Sequence, residues 1–194
     1  MTKLHGSWIW YELMTTDVAG AKSFYESIVP GWALAQGSTE NNGYGFISNA
    51  DGGMTGGLLQ LTAAMTEHGA RSCWVGYIGV DDVDASLKSI ELAGGRILMP
   101  AHDVPNAGRM AMVADCCGAV FYIMTPTPQP GGGESTSFSA TNMTGRCGWN
   151  ELMAGNTDNA LAFYTGLFGW TRPEPMDMGE FGKYHFIEHD GVPI

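Results

Sequence analysis

The stretch "WYELMTTDVAGAKSFYESIVPGW", Trp10 to Trp32, is written almost a second time as "WNELMAGNTDNALAFYTGLFGW", Trp149 to Trp170. Both begin W-x-E-L-M, carry A-x-x-F-Y at the same internal distance and close on Gly-Trp. Each copy predicts a strand followed by one helix, a unit that cannot bury its apolar face alone and has to be stacked on others. In the first copy "WIWYELMT" (Trp8 to Thr15) is rich in aromatic residues and predicts a strand; Asp17 can cap the helix that follows. Ala21, Phe24, Tyr25 and Ile28 fall at i, i+3, i+4 and i+7, so Phe24 and Tyr25 are expected to pin that helix to the sheet. Phe163 and Tyr164 would do the same in the second copy. Gly31 and Gly169 end the two helices.

Downstream of the first copy, "WALAQ", "YGFISN" and "GGLLQL" are strand candidates separated by Gly, Asn and Asp turns. They complete one β-α-β-β-β unit. The pattern then recurs more loosely. "CWVGYIGV" predicts a strand, Asp81 or Asp82 can cap a helix over "VDASLKSIELAGG", and "RILMP", "GRMAMVAD" and "AVFYIMT" predict three strands. Residues 1–125 therefore hold two units in one module. Residues 126–145 are dense in Pro, Gly, Ser and Thr and predict a linker. Residues 146–194 open a partial second module, with strands expected in "CGWNELM", "WTRPE" and "KYHFIEH" around a helix capped by Asn156 or Thr157. The fold class expected is α+β: paired β-α-β-β-β units in a half-open curved sheet, followed by a partial third unit.

Composition bounds the function. Of 194 residues 44% are apolar and 15% charged, and there are 28 Gly, a mix that favours strands and tight turns over a helical bundle. Acidic residues outnumber basic ones 20 to 9, for a net charge of −11. That balance argues against nucleic acid or an anionic membrane as partner, since both need clustered Lys and Arg. No apolar run reaches the roughly 18 residues that span a bilayer, and the first residues do not resemble a signal peptide. Cys73, Cys116, Cys117 and Cys147 show no C-x-x-C spacing, which fits reduced thiols in a cytoplasmic protein.

The capped "AxxFY…GW" element, the second strand with its "VDDVDAS", and "GRMAMVADCCGAVFYIM" together resemble the vicinal oxygen chelate superfamily, also called the glyoxalase/bleomycin-resistance/dioxygenase family. The chain is similar in particular to its tandem, two-module members, described as glyoxalase-like or hydroxylase-like. The resemblance covers Trp8 to Thr125, and Gly148 to about His189 as a partial copy. It implies a concave-face site for a small organic molecule, and in metal-dependent relatives a divalent ion held there by His, Gln or Glu. Carried over residue by residue, those ligand positions fall on Trp10, Val75 and Tyr122, with Gln60 as a weak donor and Trp149 in the second copy. Indole and an aliphatic chain do not bind a metal. No metal and no other cofactor is expected at these positions. His5, His68, His102, His185 and His189 are scattered; His185 and His189, in an extended segment, would lie about 13 Å apart.

Glu12 and Glu151 stand two residues beyond Trp10 and Trp149, on the same strand face as each. Either is a candidate to bind a polar ligand group or to act as general base. The alternative for both is a carboxylate tied to an Arg or to backbone donors. Arg109, after the loop "HDVPNAG", is a candidate partner. Trp10, Tyr77, Tyr122 and Trp149 either line a pocket for a planar molecule or form plain core. The substrate-binding candidates are thus Trp10, Glu12, Tyr77, Arg109, Tyr122, Trp149 and Glu151. Two functions stand beside each other: a lyase-, hydroxylase- or dioxygenase-type enzyme, and a metal-free protein that sequesters a small molecule, as in the bleomycin-resistance branch. The partners expected are that small molecule and either a second copy of the chain or pairing of its own modules.

Overall fold

The computed structural model describes residues 4–37, 43–128, 133, 135–141 and 143–194, which form two compact units. One comprises Ile9–Gly76 with Glu134–Gly148, and the other Met1–Trp8, Tyr77–Gly133 and Trp149–Ile194.

The first unit holds β1 (Trp8–Thr15, of which residues 9–15 belong to this unit), α1 (Val18–Ile28), β2 (Ala33–Ala35), β3 (Gly45–Ser48), β4 (Met54–Gln60) and a short α2 (Ala63–Glu67). Its strands lie in the order β2-β3-β4-β1, with β1 parallel to β4 and the others antiparallel. Asp17 caps α1 by accepting the Gly20 N–H at 2.8 Å. Under the helix, Leu13, Val18, Leu34, Ile47 and Leu58 form the buried core. Tyr25, Ala21 and Trp32 pack at its edge. Phe24 does not pin the helix: it is exposed, as is Ile28. The buried stripe runs through Val18, Ala21 and Tyr25, and Phe24 lies about a quarter-turn round the helix from it.

The second unit repeats the plan. Here β5 (Cys73–Gly79, of which residues 77–79 belong to this unit) leads to α3 (Val83–Leu92), β6 (Arg96–Val104), β7 (Gly108–Ala114) and β8 (Val120–Pro126). The order is β5-β8-β7-β6, again with one parallel pair, β5 to β8. Each unit is therefore a four-stranded mixed sheet with one main capped helix from a β-α-β-β-β run, an α+β fold.

The partial third unit differs from its expectation. Its helix forms as α4 (Thr157–Phe168), capped by Asn156 and ended by Gly169 in the left-handed region. Of residues 147–153, expected as a strand, only Cys147 forms a bridge, to Phe138, and residues 170–174 contribute a single bridge at Thr171. "KYHFIEH" supplies only two-residue strands, β10 (Lys183–Tyr184) paired with β9 (Met176–Asp177), and β11 (Glu188–His189) paired with β12 (Val192–Pro193). A strand needs a neighbour to satisfy its backbone. In the first copy β4 supplies one, and among the described residues nothing pairs with 149–153 in that way.

The described parts of the Ser/Thr-rich segment read as a linker, residues 135–141 and 143–148, also take packed positions. The Gly145 carbonyl accepts from Trp32 Nε1, Asn49 Nδ2 and Thr55 Oγ1 at 2.8–3.1 Å. Ser137 is fully buried, and Ser135 Oγ donates to the carbonyl of Ile9. The Arg146 side chain, 1% exposed, donates to both carboxylate oxygens of Asp51 at 3.0–3.1 Å. These are hydrogen-bonded rather than apolar contacts, which is why composition alone reads as a solvated spacer.

Candidate functional site

Alternation along the strands of the first unit separates two faces. Leu13, Leu58, Ile47 and Leu34 point to the α1 core. The register Glu12↔Gly57 on β1 and β4, and Phe46↔Gly57 on β3 and β4, puts Trp10, Glu12, Met14, Phe46, Gly57 and Leu59 on the opposite face. Trp10 Nε1 donates to the Tyr44 hydroxyl at 3.0 Å, and Phe46 stands edge-on to both rings. A Cβ on Gly57 would overlap that hydroxyl, so Tyr44 rests on the strand because position 57 has no side chain. The result is an aromatic wall beside a carboxylate: Glu12 is 2% exposed, while Phe46 is left open to solvent.

Gly57→Ala is expected to lift Tyr44 off β4, break its bond to Trp10 and destabilise the protein by about 1–3 kcal/mol, the range for overpacking. Thermal melting and tryptophan emission read the effect. Unchanged values of both would show that the ring has room to move.

Cys73, the first residue of β5, is an exposed free thiol. Partial burial of its sulfur, and after that the negative charge of Glu12, push the thiol above its ordinary pKa. At pH 8 Cys73 should therefore alkylate more slowly than a free thiol, and Glu12→Gln should speed it. A rate at Cys73 that is indifferent to the substitution, followed by peptide mass spectrometry, would remove the electrostatic link between the two groups.

The other predicted site residues are placed as follows. Tyr77 and Tyr122 are registered partners on β5 and β8, stacked with centroids 4.2 Å apart, and both are buried. Arg109 is engaged elsewhere than at a repeated Glu: it forks onto Asp84 at 2.7 and 2.9 Å and reaches Asp103 at 3.2 Å. The hydrogen bonds and charge of Arg109 hold the Asp84 carboxyl below its ordinary range. Trp149 donates to the Tyr184 hydroxyl at 3.2 Å, and Glu151 is exposed. Of the two repeated carboxylates, Glu12 alone is enclosed. Tyr44 and Phe46 were missed by sequence reasoning; "YGF" facing "GG" in a neighbouring strand is the only signal, and it needs the register to be read.

The donor set at the positions where the family resemblance puts a divalent metal does not fit one. The Trp10 indole donates its proton to Tyr44, Val75 is aliphatic and buried, and the Tyr122 ring is stacked on Tyr77. Gln60 spends its amide on the carbonyls of Thr16 and Leu61. Among the described residues no three His, Cys, Asp or Glu gather to hold an ion.

Comparison with known proteins gives one family, two relatives and one solved structure. A sequence model of the Glyoxalase/Bleomycin resistance protein/Dioxygenase superfamily matches residues 9–123. The chain is 35% identical over 165 residues to "Putative glyoxylase CFP32" of Mycobacterium bovis, covering 84% of this chain and 59% of that protein. It is 29% identical over 196 residues to "Anthracycline biosynthesis protein DnrV" of Streptomyces peucetius, covering 96% of this chain and 68% of that one. The chain thus spans 59% of the length of the first of these relatives. Its fold is similar to that of a Mn(II)-bound glyoxalase from Novosphingobium aromaticivorans, with a TM-score of 0.53 at 18% identity over 87% of this chain and 54% of that one. No helix among the described residues is long and apolar enough to cross a membrane.

Proposed function

From the premise that this chain belongs to the Glyoxalase/Bleomycin resistance protein/Dioxygenase superfamily, we propose that it binds a small, planar, partly apolar organic molecule on the face of the β2-β3-β4-β1 sheet away from α1. The observation that carries the reading is an enclosed carboxylate, Glu12, on the same strand face as Trp10 and Phe46. Aromatic side chains supply area for a flat molecule, and a carboxylate selects one that presents an N–H or O–H donor. The donor set at the family's metal positions favours binding without a metal over the metal-assisted reactions of glyoxalase and dioxygenase relatives. Should turnover accompany binding, Glu12 is our candidate for moving a proton. The relatives named for anthracycline biosynthesis make polycyclic phenols a sensible first probe.

The test is thermal shift and tryptophan quenching with a panel of planar molecules that differ in donor groups. Saturable stabilisation by donor-bearing members, weakened in Phe46→Ala, supports the reading. Binding that is equal in the parent, Phe46→Ala and Glu12→Gln proteins would move the site off this face.

A further inference from the structure

The turn between β7 and β8 sets Cys116 and Cys117 side by side, and the ligand face described above makes no use of them. The turn is closed by the Gly118 N–H on the Asp115 carbonyl at 3.1 Å. The buried carboxylate of Asp115 accepts the N–H groups of Cys117 and Ala119, each at 2.8 Å, on one oxygen. Its other oxygen accepts the Tyr164 hydroxyl of α4 at 3.1 Å. The backbone carrying both thiols is therefore fixed from the strand side and from the helix side. The two sulfurs stand 3.8 Å apart, Cys117 is exposed and Cys116 is half-buried.

The spacing decides the chemistry. A disulfide needs its sulfurs at about 2 Å, and closing one between adjacent residues would strain a turn held by these hydrogen bonds. A tetrahedral ion with metal–sulfur bonds of about 2.3 Å holds two thiolates about 3.8 Å apart. The observed separation, 3.8 Å, is a thiol–thiol contact that already matches the second of these and not the first.

We propose that Cys116 and Cys117 form a two-thiolate site for a soft divalent d10 cation of the zinc and cadmium class. On binding, each thiol gives its proton to solvent, two metal–sulfur bonds form and water leaves the ion's first shell; no electron is transferred. Among the described residues no third His, Cys, Asp or Glu joins the pair. The remaining positions on the ion are thus filled by water or by a small added ligand, an open rather than a closed arrangement. The turn holds both sulfurs near the bite the ion requires, and on binding the Cys117 thiol gives up its 3.7 Å contact with the Asn156 carbonyl. The chain's net charge of −11 favours a cation further.

Cadmium titration of the reduced full-length chain tests this, read by the ultraviolet thiolate-to-metal charge-transfer band. The expected result is saturation at one equivalent, release of about two protons per ion and reversal by a chelator such as EDTA. Cys116→Ser and Cys117→Ser should each weaken binding about tenfold or more, since either leaves a single thiolate. Cys73→Ser and Cys147→Ser should leave it unchanged. If the turn variants fail to fold, alkylation of the pair in the native parent protein supplies the same comparison, with sites assigned by mass spectrometry. Binding that survives loss of either turn thiol, or the absence of any saturable band, overturns the proposal.

Discussion

Phe168→Ala is expected to cost about 3–5 kcal/mol of stability, the range for deleting a large aromatic side chain from a packed core. Phe168 closes α4 and is 2% exposed. Its ring meets Trp170 at 5.4 Å, Phe121 at 6.0 Å and Tyr164 at 6.2 Å. Around it Leu161 and Phe163 are also buried, so α4 contributes a full apolar face to the unit built on β5 to β8. Trp170 extends the anchor by donating from Nε1 to the Gly6 carbonyl at 2.8 Å. At roughly 2–4 °C per kcal/mol for a protein of this size, the melting temperature should fall by about 10 °C. A fall of under about 2 °C would mean that α4 is dispensable to that unit. Limited proteolysis gives a second reading. A cut between residues 126 and 145 should leave the C-terminal piece bound to the body, because α4 shares a core with Phe121. Rapid digestion of everything after the cut would contradict that shared core.

The same region shows what a sequence can and cannot disclose. Strand β1 was legible from its aromatic, β-branched run, and the caps Asp17, Asp82 and Asn156 all accept the N–H three residues on. These are local signals, set by short-range chemistry. The repeat W-x-E-L-M was legible as a repeat but not as two different environments. Leu13 and Met14 are each 5% exposed, whereas their counterparts Leu152 and Met153 are 42% and 89% exposed. The letters agree; among the described residues only the first copy is set in a sheet whose strands and helix bury them. Phe24 and Phe163 diverge likewise, the first outside and the second in the core. The packing of residues 135–141 and 143–148 was not legible because the anchors are a carbonyl, a serine and a guanidinium, none of which patterns as core. For the proposed site, the shared strand face of Trp10 and Glu12 was legible from period-two spacing. Tyr44 was not, since its position depends on the absence of a side chain at Gly57, a fact of cross-strand register.

Glu12→Gln is the substitution that bears most directly on function, and its expected effect is on ligand affinity. The carboxylate lies almost wholly out of solvent, on a face whose other members are aromatic or aliphatic. A buried charge is held by partners, and in the proposed reading a donor on the ligand is one of them. A neutral amide of the same shape keeps the packing but loses the charge-assisted hydrogen bond to a bound donor. The loss should be about 1–3 kcal/mol, or roughly 5- to 150-fold in Kd, for ligands that present an N–H or O–H. Ligands without such a donor should bind the variant about as well as the parent. That contrast separates recognition from scaffolding. A carboxylate that merely braces the sheet would lower the melting temperature on substitution and weaken both ligand classes alike, whereas one that reads the ligand discriminates between them. Equal loss for donor-bearing and donor-free molecules would therefore leave Glu12 as part of the frame, and would shift the binding role to the Trp10–Tyr44–Phe46 wall alone.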